Sequence, residues 1–212
     1  PPLERQTVVH RCLKELYEAL ENDAPMEFRL EFLRTIRARQ ALRPSPAPSE
    51  LANLALGDRR IGALLLQMGD ISEAISSFKA AVNASEQLAA VEPAEPEWQR
   101  DIAVSRNRLG DAFLAAGGVA DALTCYQRSL DVVQGLCRQD PQNATWQHDL
   151  SVSYVKIGDV LHGEGRDGAA ADAYRRSLEI RQRLSVEGAQ PVERFLRDVA
   201  SAHTRLGNVL LG

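Results

Sequence analysis

Residues 102–117 read IAVSRNRLGDAFLAAG, and residues 150–165 read LSVSYVKIGDVLHGEG. Laid over one another, the two stretches align without a gap. Residues 54–69, LALGDRRIGALLLQMG, fall into the same frame. The anchor glycines Gly62, Gly110 and Gly158 are each 48 residues from the next. A further copy opens at Val199, carries Gly207 at a step of 49, and reads VASAHTRLGNVLLG to Gly212. The second half of each unit recurs too. Ala74, Phe78 and Leu88 match Ala122, Tyr126 and Leu136, and then Ala170, Tyr174 and Leu184. A polar stretch bearing Pro or Gly closes each unit, followed by an aromatic (Trp98, Trp146, Phe195) and, three residues on, an Asp (Asp101, Asp149, Asp198). Such an internal period signals a stack of units that bury their apolar faces on their neighbours.

Each unit reads as two helices. Ala122, Tyr126, Leu130, Val133 and Leu136 lie at steps of three and four, one face of a 3.6-residue period. Leu109, Phe113 and Ala116 do the same on the preceding helix. Glycines punctuate the middle of each unit at Gly69, Gly117 and Gly165, where a tight turn is expected. Asp70 with Glu73 has the spacing of a capping box. No segment alternates apolar and polar residues for long, so the expected class is all-α. A glycine inside a helix costs roughly 1 kcal/mol relative to Ala. Its recurrence therefore implies close approach of a neighbouring helix, with Phe78, Tyr126 and Tyr174 expected to fill the space between hairpins. The tryptophans at the junctions are expected to pack in the core. Asp101, Asp149 and Asp198 are expected in the first turn of a helix, where negative charge suits the dipole.

The 212 residues are 44% apolar and 5% aromatic, with a formal net charge of −4. That composition excludes disordered and collagen-like chains. The mild acidity removes the phosphate attraction on which general nucleic-acid binders rely. No apolar run approaches the ~18 residues that would suggest a membrane span. Cys12, Cys125 and Cys137 are odd in number and form no C-x-x-C pair, so a reducing, cytoplasmic setting is expected.

The residues Leu109, Gly110, Phe113, Gly117, Ala122, Tyr126 and Ser129 resemble the tetratricopeptide repeat, as do Ile157, Gly158, Leu161, Gly165, Ala170, Tyr174 and Ser177. The resemblance covers residues 54–212 and implies a right-handed superhelical solenoid of antiparallel helix pairs. The usual period of that family is ~34 residues, so this long form is similar to the repeats of kinesin light chains and large bacterial signalling proteins. The extra residues should lengthen both helices. The organisation expected is a degenerate capping hairpin at 3–42 and full repeats at 54–101, 102–149 and 150–198. The first helix of a truncated repeat follows at 199–212. The apolar face of that last helix suggests either a longer parent protein or self-association through the face.

Function is expected on the first helices, which the resemblance places along a concave groove. The candidate groove residues are Arg59, Arg60, Leu66, Asn107, Arg108, Asp111, Leu114, Lys156, Asp159, His162, Arg205 and Asn208. Arg60, Arg108, Lys156 and Arg205 form a basic series, with Arg108–Asp111 and Lys156–Asp159 spaced as intrahelical pairs. The chemistry expected is apolar contact at Leu66, Leu114 and Leu211 with polar specification from Asn107, Arg108, Asp111 and Asp159. This describes a non-enzymatic scaffold or recognition module for a peptide or helix, part of a larger signalling or regulatory protein. The alternative is a small-ligand or signal-peptide sensor. No catalytic residue, metal site or cofactor is expected. The segment from Gly163 to Gly168 spells G-x-G-x-x-G, but no strand precedes it and it falls on a hairpin turn. His10, His148, His162 and His203 make no i, i+4 pair for a metal.

Overall fold

The computed structural model describes residues 24–41, 47–186, 200, 204, 205, 207 and 209. Among these residues every regular element is a helix. In chain order they are α1 (Met26–Ala41), α2 (Pro48–Met68), α3 (Ile71–Val91), α4 (Pro96–Ala115), α5 (Val119–Gln139), α6 (Ala144–Gly163) and α7 (Asp167–Val186). The chain forms two compact units, residues 1–116 with α1 to α4 and residues 117–212 with α5 to α7.

The period is written in the helix starts. The first helices α2, α4 and α6 open at Pro48, Pro96 and Ala144, 48 residues apart. The second helices α3, α5 and α7 open at Ile71, Val119 and Asp167, again 48 apart. All six are 20 or 21 residues long, hence about 30 Å.

Each helix pair opens six residues ahead of the frame drawn from the glycine alignment. The cause is local. Pro48 and Pro96 stand at the first helical positions, where the missing N–H forfeits no bond. Asn143 caps α6 by accepting the Trp146 backbone N–H at 3.1 Å. Asp101 and Asp149 consequently sit in the second turn, not the first. The acidic residues in the first turns of α2 and α4 are Glu50 and Glu97, and α6 has none. Asp198 lies outside the described residues.

The hairpin turns follow from three glycines with positive φ: +88° at Gly69, +79° at Gly117 and +72° at Gly165. This left-handed conformation strains any side chain with a Cβ. It lets the Asp70 N–H reach back to Leu65 O at 2.8 Å, and the Arg166 N–H to Leu161 O at 2.9 Å, closing helices α2 and α6. The capping box expected at Asp70 and Glu73 does not form. Asp70 makes no side-chain cap bond, and Glu73 instead pairs with Arg34 of α1.

In the N-terminal unit, Leu51, Ala55, Ile61 and Leu65 of α2 and Ala74, Phe78, Ala81 and Leu88 of α3 are all buried. In the C-terminal unit, Ile157 and Leu161 of α6 and Ala170, Tyr174 and Leu184 of α7 are buried in the same way. Two of the three rings expected between hairpins, Phe78 and Tyr174, instead press on a glycine within their own hairpin. Phe78 lies on Gly62 of its own hairpin, so close that a Cβ there would be 2.9 Å from Phe78 Cε1. Tyr174 lies on Gly158, where a Cβ would be 2.6 Å from Tyr174 Cε1. Trp146 is buried, whereas Trp98 is half-buried and donates its Nε1–H to Glu92 at 2.8 Å. Phe195 lies outside the described residues.

Of the capping hairpin expected at 3–42, residues 3–23 lie outside the described residues. The remainder is α1, whose Leu30 and Leu33 are buried. Of the helix expected at 199–212, residues 200, 204, 205, 207 and 209 are described, all helical, with Val209 buried. No heavy atom among the described residues comes within 4 Å of a Cβ added at Gly207.

Two glycine-to-alanine substitutions test the role of the anchors. Gly158→Ala forces the Tyr174 ring aside and should lower stability by about 1–3 kcal/mol. Gly135→Ala, in the middle of α5 with nothing within 4 Å, should raise it by about 0.5–1 kcal/mol. Urea unfolding of the two variants checks this. Equal effects would remove the close-packing account.

Candidate binding faces on the first helices

In the N-terminal unit, Arg59 of α2 reaches across to α4. Its Nη1 donates to Asp101 Oδ1 at 3.1 Å and to Ser105 Oγ at 3.1 Å. Ser105 Oγ lies 3.3 Å from Ser85 Oγ of α3, and Ser85 donates to Ala81 O at 2.9 Å. Since the Ser85 proton is committed to that carbonyl, Ser105 must donate to Ser85. The donors therefore run in one direction, from Arg59 through Ser105 and Ser85 to a backbone acceptor, and both serines are fully buried. Arg59 is thus a tie between three helices and not a side chain facing a ligand. Its side chain is only 14% exposed.

The other expected residues of this unit are more open. Arg108 is 60% exposed and stands 3.9 Å from Asp111, a separation at which an exposed pair contributes little. Leu114 is exposed, and Arg60, Leu66 and Asp111 are half-exposed. Asn107 is half-exposed as a residue, yet its Oδ1 atom is buried and has no hydrogen-bond partner. A buried acceptor left open is uncommon in folded proteins. Beside this series, the Lys79 ammonium lies 5.5 Å from the centre of the Phe113 ring.

In the C-terminal unit, the expected residues are largely engaged with one another. Asp159 accepts the Tyr174 hydroxyl at 2.8 Å and Arg205 Nε at 2.8 Å. Burial, reinforced by the hydrogen bond to Asp159, pushes the Tyr174 phenol well above its ordinary range. The Lys156 ammonium sits 5.4 Å from the centre of the Tyr126 ring. His162 Nδ1 meets Asp167 Oδ1 at 2.7 Å beside the hairpin turn. Asn208 and Leu211 lie outside the described residues.

The G-x-G-x-x-G segment is the turn itself. Gly163 ends α6, Gly165 takes the left-handed conformation and Gly168 lies in the first turn of α7. No strand precedes it, so the dinucleotide geometry is absent here. Among the described residues no group of three or more His, Cys, Asp or Glu side chains is arranged to hold a metal ion. No described helix is long and apolar enough to cross a membrane.

Reading the sequence missed the charges in the core, Asp58 and Arg181. Asp58 is 3% exposed and pairs with Arg37 of α1. Burial raises its carboxyl pKa, and Arg37 pulls it back. The signal was present: Asp58 continues the apolar series Leu51, Ala55, Ile61 and Leu65 on α2. A charge on a buried stripe demands a partner.

The tetratricopeptide repeat family profile matches residues 60–88 and 152–183, each running from the later part of a first helix through most of the second. Those two segments are tetratricopeptide-like repeats. The chain is also similar to solved repeat structures. The structure of BtubC (BKLC) from P. vanneervenii matches with a TM-score of 0.70 at 15% identity, over 99% of this chain and 77% of that one. The tetratricopeptide-like repeats of a Podosopora anserina protein assigned as a kinesin light chain match with 0.59 at 20% identity, over 93% and 86%. The apo form of RapI matches with 0.64 at 11% identity, over 94% and 65%. No curated protein matches the chain. Tetratricopeptide repeats generally serve as scaffolds for protein–protein interaction.

The two described cysteines of this repeat protein differ in burial. Burial pushes the Cys137 thiol up to about 11, with Arg183 acting in the opposite sense. Only about 0.1% of it is then thiolate at pH 8, the form that reacts. Cys125 is half-buried. In the native protein at pH 8, iodoacetamide should label Cys125 about tenfold or more faster than Cys137. In denaturant the two rates should converge. Peptide mapping by mass spectrometry reads both, and equal native rates would show that Cys137 is not shielded.

Proposed function

We propose that the chain is a recognition module that holds an extended peptide or a helix against the first-helix face of its N-terminal unit. The observation that carries this reading is the Asn107 acceptor, buried and open on a face otherwise lined by exposed or half-exposed side chains. Turning the half-exposed Asn107 amide outward would present that acceptor to a backbone N–H of a bound peptide. Leu66 and Leu114 supply apolar contact at corresponding places in successive repeats. Arg108, weakly held by Asp111, favours an acidic partner. The C-terminal unit weighs less in the reading, because Asp159, Tyr174 and Arg205 already satisfy one another. The family resemblance and the cysteine usage support a place within a larger signalling or regulatory protein of the cytoplasm.

A displayed peptide library selected against the whole chain tests this. Selected peptides should be rich in acidic and large apolar residues. Asn107→Ala or Leu114→Asp should each weaken their binding by about tenfold or more, and Arg108→Glu should do so at low salt. The variants should keep the helical circular dichroism of the parent. Selected peptides that bind all three variants as tightly as the parent would place recognition elsewhere.

A further inference from the structure

Helix α1, the first of the described helices, is held to its unit by apolar side chains and by charge. Its buried apolar anchors are Leu30 and Leu33. Phe32 and Ile36 are half-buried, and two ion pairs add to the grip: Arg34 pairs with Glu73 of α3, and Arg37 pairs with Asp58 of α2. Leu30, Leu33, Arg34 and Arg37 are at i, i+3, i+4 and i+7, one stripe of the helix. Both arginine side chains remain 44% exposed, and so does most of Glu73, so water and salt reach these pairs. Asp58 is the exception, since it is buried on the α2 stripe and would be left as an uncompensated charge without a guanidinium above it. The fit is also incomplete. A cavity of about 220 Å³ remains beneath the helix, lined by Arg34, Arg37, Ile61, Leu65, Glu73 and the serines Ser76 and Ser77. On its other side α1 leaves Phe28 exposed.

We propose that α1 is a releasable helix, and that the surface beneath it is a docking site for an arginine-bearing amphipathic helix of another protein. The surface selects for that chemistry. Asp58 requires a cation that can reach a buried carboxylate, Glu73 favours a second cation one turn away, and Ile61 and Leu65 form an apolar floor. A planar guanidinium on a long stem suits this better than an ammonium, because it keeps its charge when desolvated and bonds a carboxylate with two N–H groups. Helix α1 shows that such a helix can sit there. The cavity leaves room for a helix with larger side chains between its arginines. This site is separate from the first-helix face discussed above and does not depend on it.

The test uses the whole chain and a ¹⁵N-labelled synthetic peptide of residues 24–41. Hydrogen exchange read by mass spectrometry separates the added peptide from the same sequence in the chain. Excess peptide should speed exchange in the chain's own residues 26–41 by about tenfold or more, and salt at ~0.5 M should do the same as the ion pairs are screened. Protection in α3 should stay unchanged. Unchanged exchange at residues 26–41 under both conditions would make α1 a fixed part of the fold and overturn the proposal. Arg34→Glu with Arg37→Glu in the chain should raise affinity for the peptide by about tenfold, and adding Asp58→Asn should abolish the gain. An affinity unaffected by Asp58→Asn would overturn the site. Sedimentation showing a wild-type dimer that those arginine substitutions disperse would give the site to a second copy of α1, and would also overturn the proposal.

Discussion

A ring pressed against a glycine sets the spacing of the helices in this protein. Phe78 on Gly62 and Tyr174 on Gly158 bring each pair of backbones closer than any side chain at the glycine would allow. The glycine costs roughly 1 kcal/mol of helix stability. A fully buried aromatic covers about 150–250 Å², which at ~25 cal/mol per Å² outweighs that cost several-fold. The contact also needs the hairpin to reverse sharply just beyond it, and Gly69 and Gly165 provide that reversal with positive φ. Three requirements, a flat floor, a ring above it and a left-handed turn, thus occur together in the α2–α3 and α6–α7 hairpins.

The same coupling explains what could be read from the chain alone. A glycine that recurs inside a helical pattern announces a close contact, and the Gly turns follow from conformational necessity. The partner of that contact was harder to see. Periodicity says which face of a helix is apolar, but not which neighbouring helix meets it, so the rings were first assigned between hairpins and not within them. Helix boundaries carried a similar ambiguity. Trp98 and Trp146, read as closing a unit, stand in the first turn of the next helix, because Pro96 and Asn143 start the helix before them.

The candidate site shows where side-chain reach defeats a register argument. Arg59 was assigned to a ligand-facing position from its place on the helix. Its long stem instead turns sideways to Asp101 and Ser105. Arg108, standing 3.9 Å from Asp111, stays exposed. The difference lies in the neighbours: Arg59 has a carboxylate and a buried hydroxyl on α4 within reach. Asp58 escaped notice for the complementary reason, since its partner Arg37 belongs to a helix outside the repeat pattern. Repeated residues were legible, and one-off pairs between repeats were not.

The added length of the helices gives these one-off pairs their place. The family profile begins at residue 60, so residues 48–59 of α2 lie before it. Near the hairpin turn, packing is by shape, ring against glycine. Toward the far ends the buried leucines Leu88 and Leu184 are joined by polar ties. Ser85 meets Ser105, Glu86 meets Arg106, Trp98 meets Glu92, Arg181 meets Ser151 and Arg183 meets Gln147. Shape contacts are indifferent to salt, whereas exposed charge pairs weaken as the screening length falls. Within each unit, therefore, the ring-on-glycine contacts near the turns are barely touched by the medium, whereas the polar ties toward the far ends differ from one hairpin to the next.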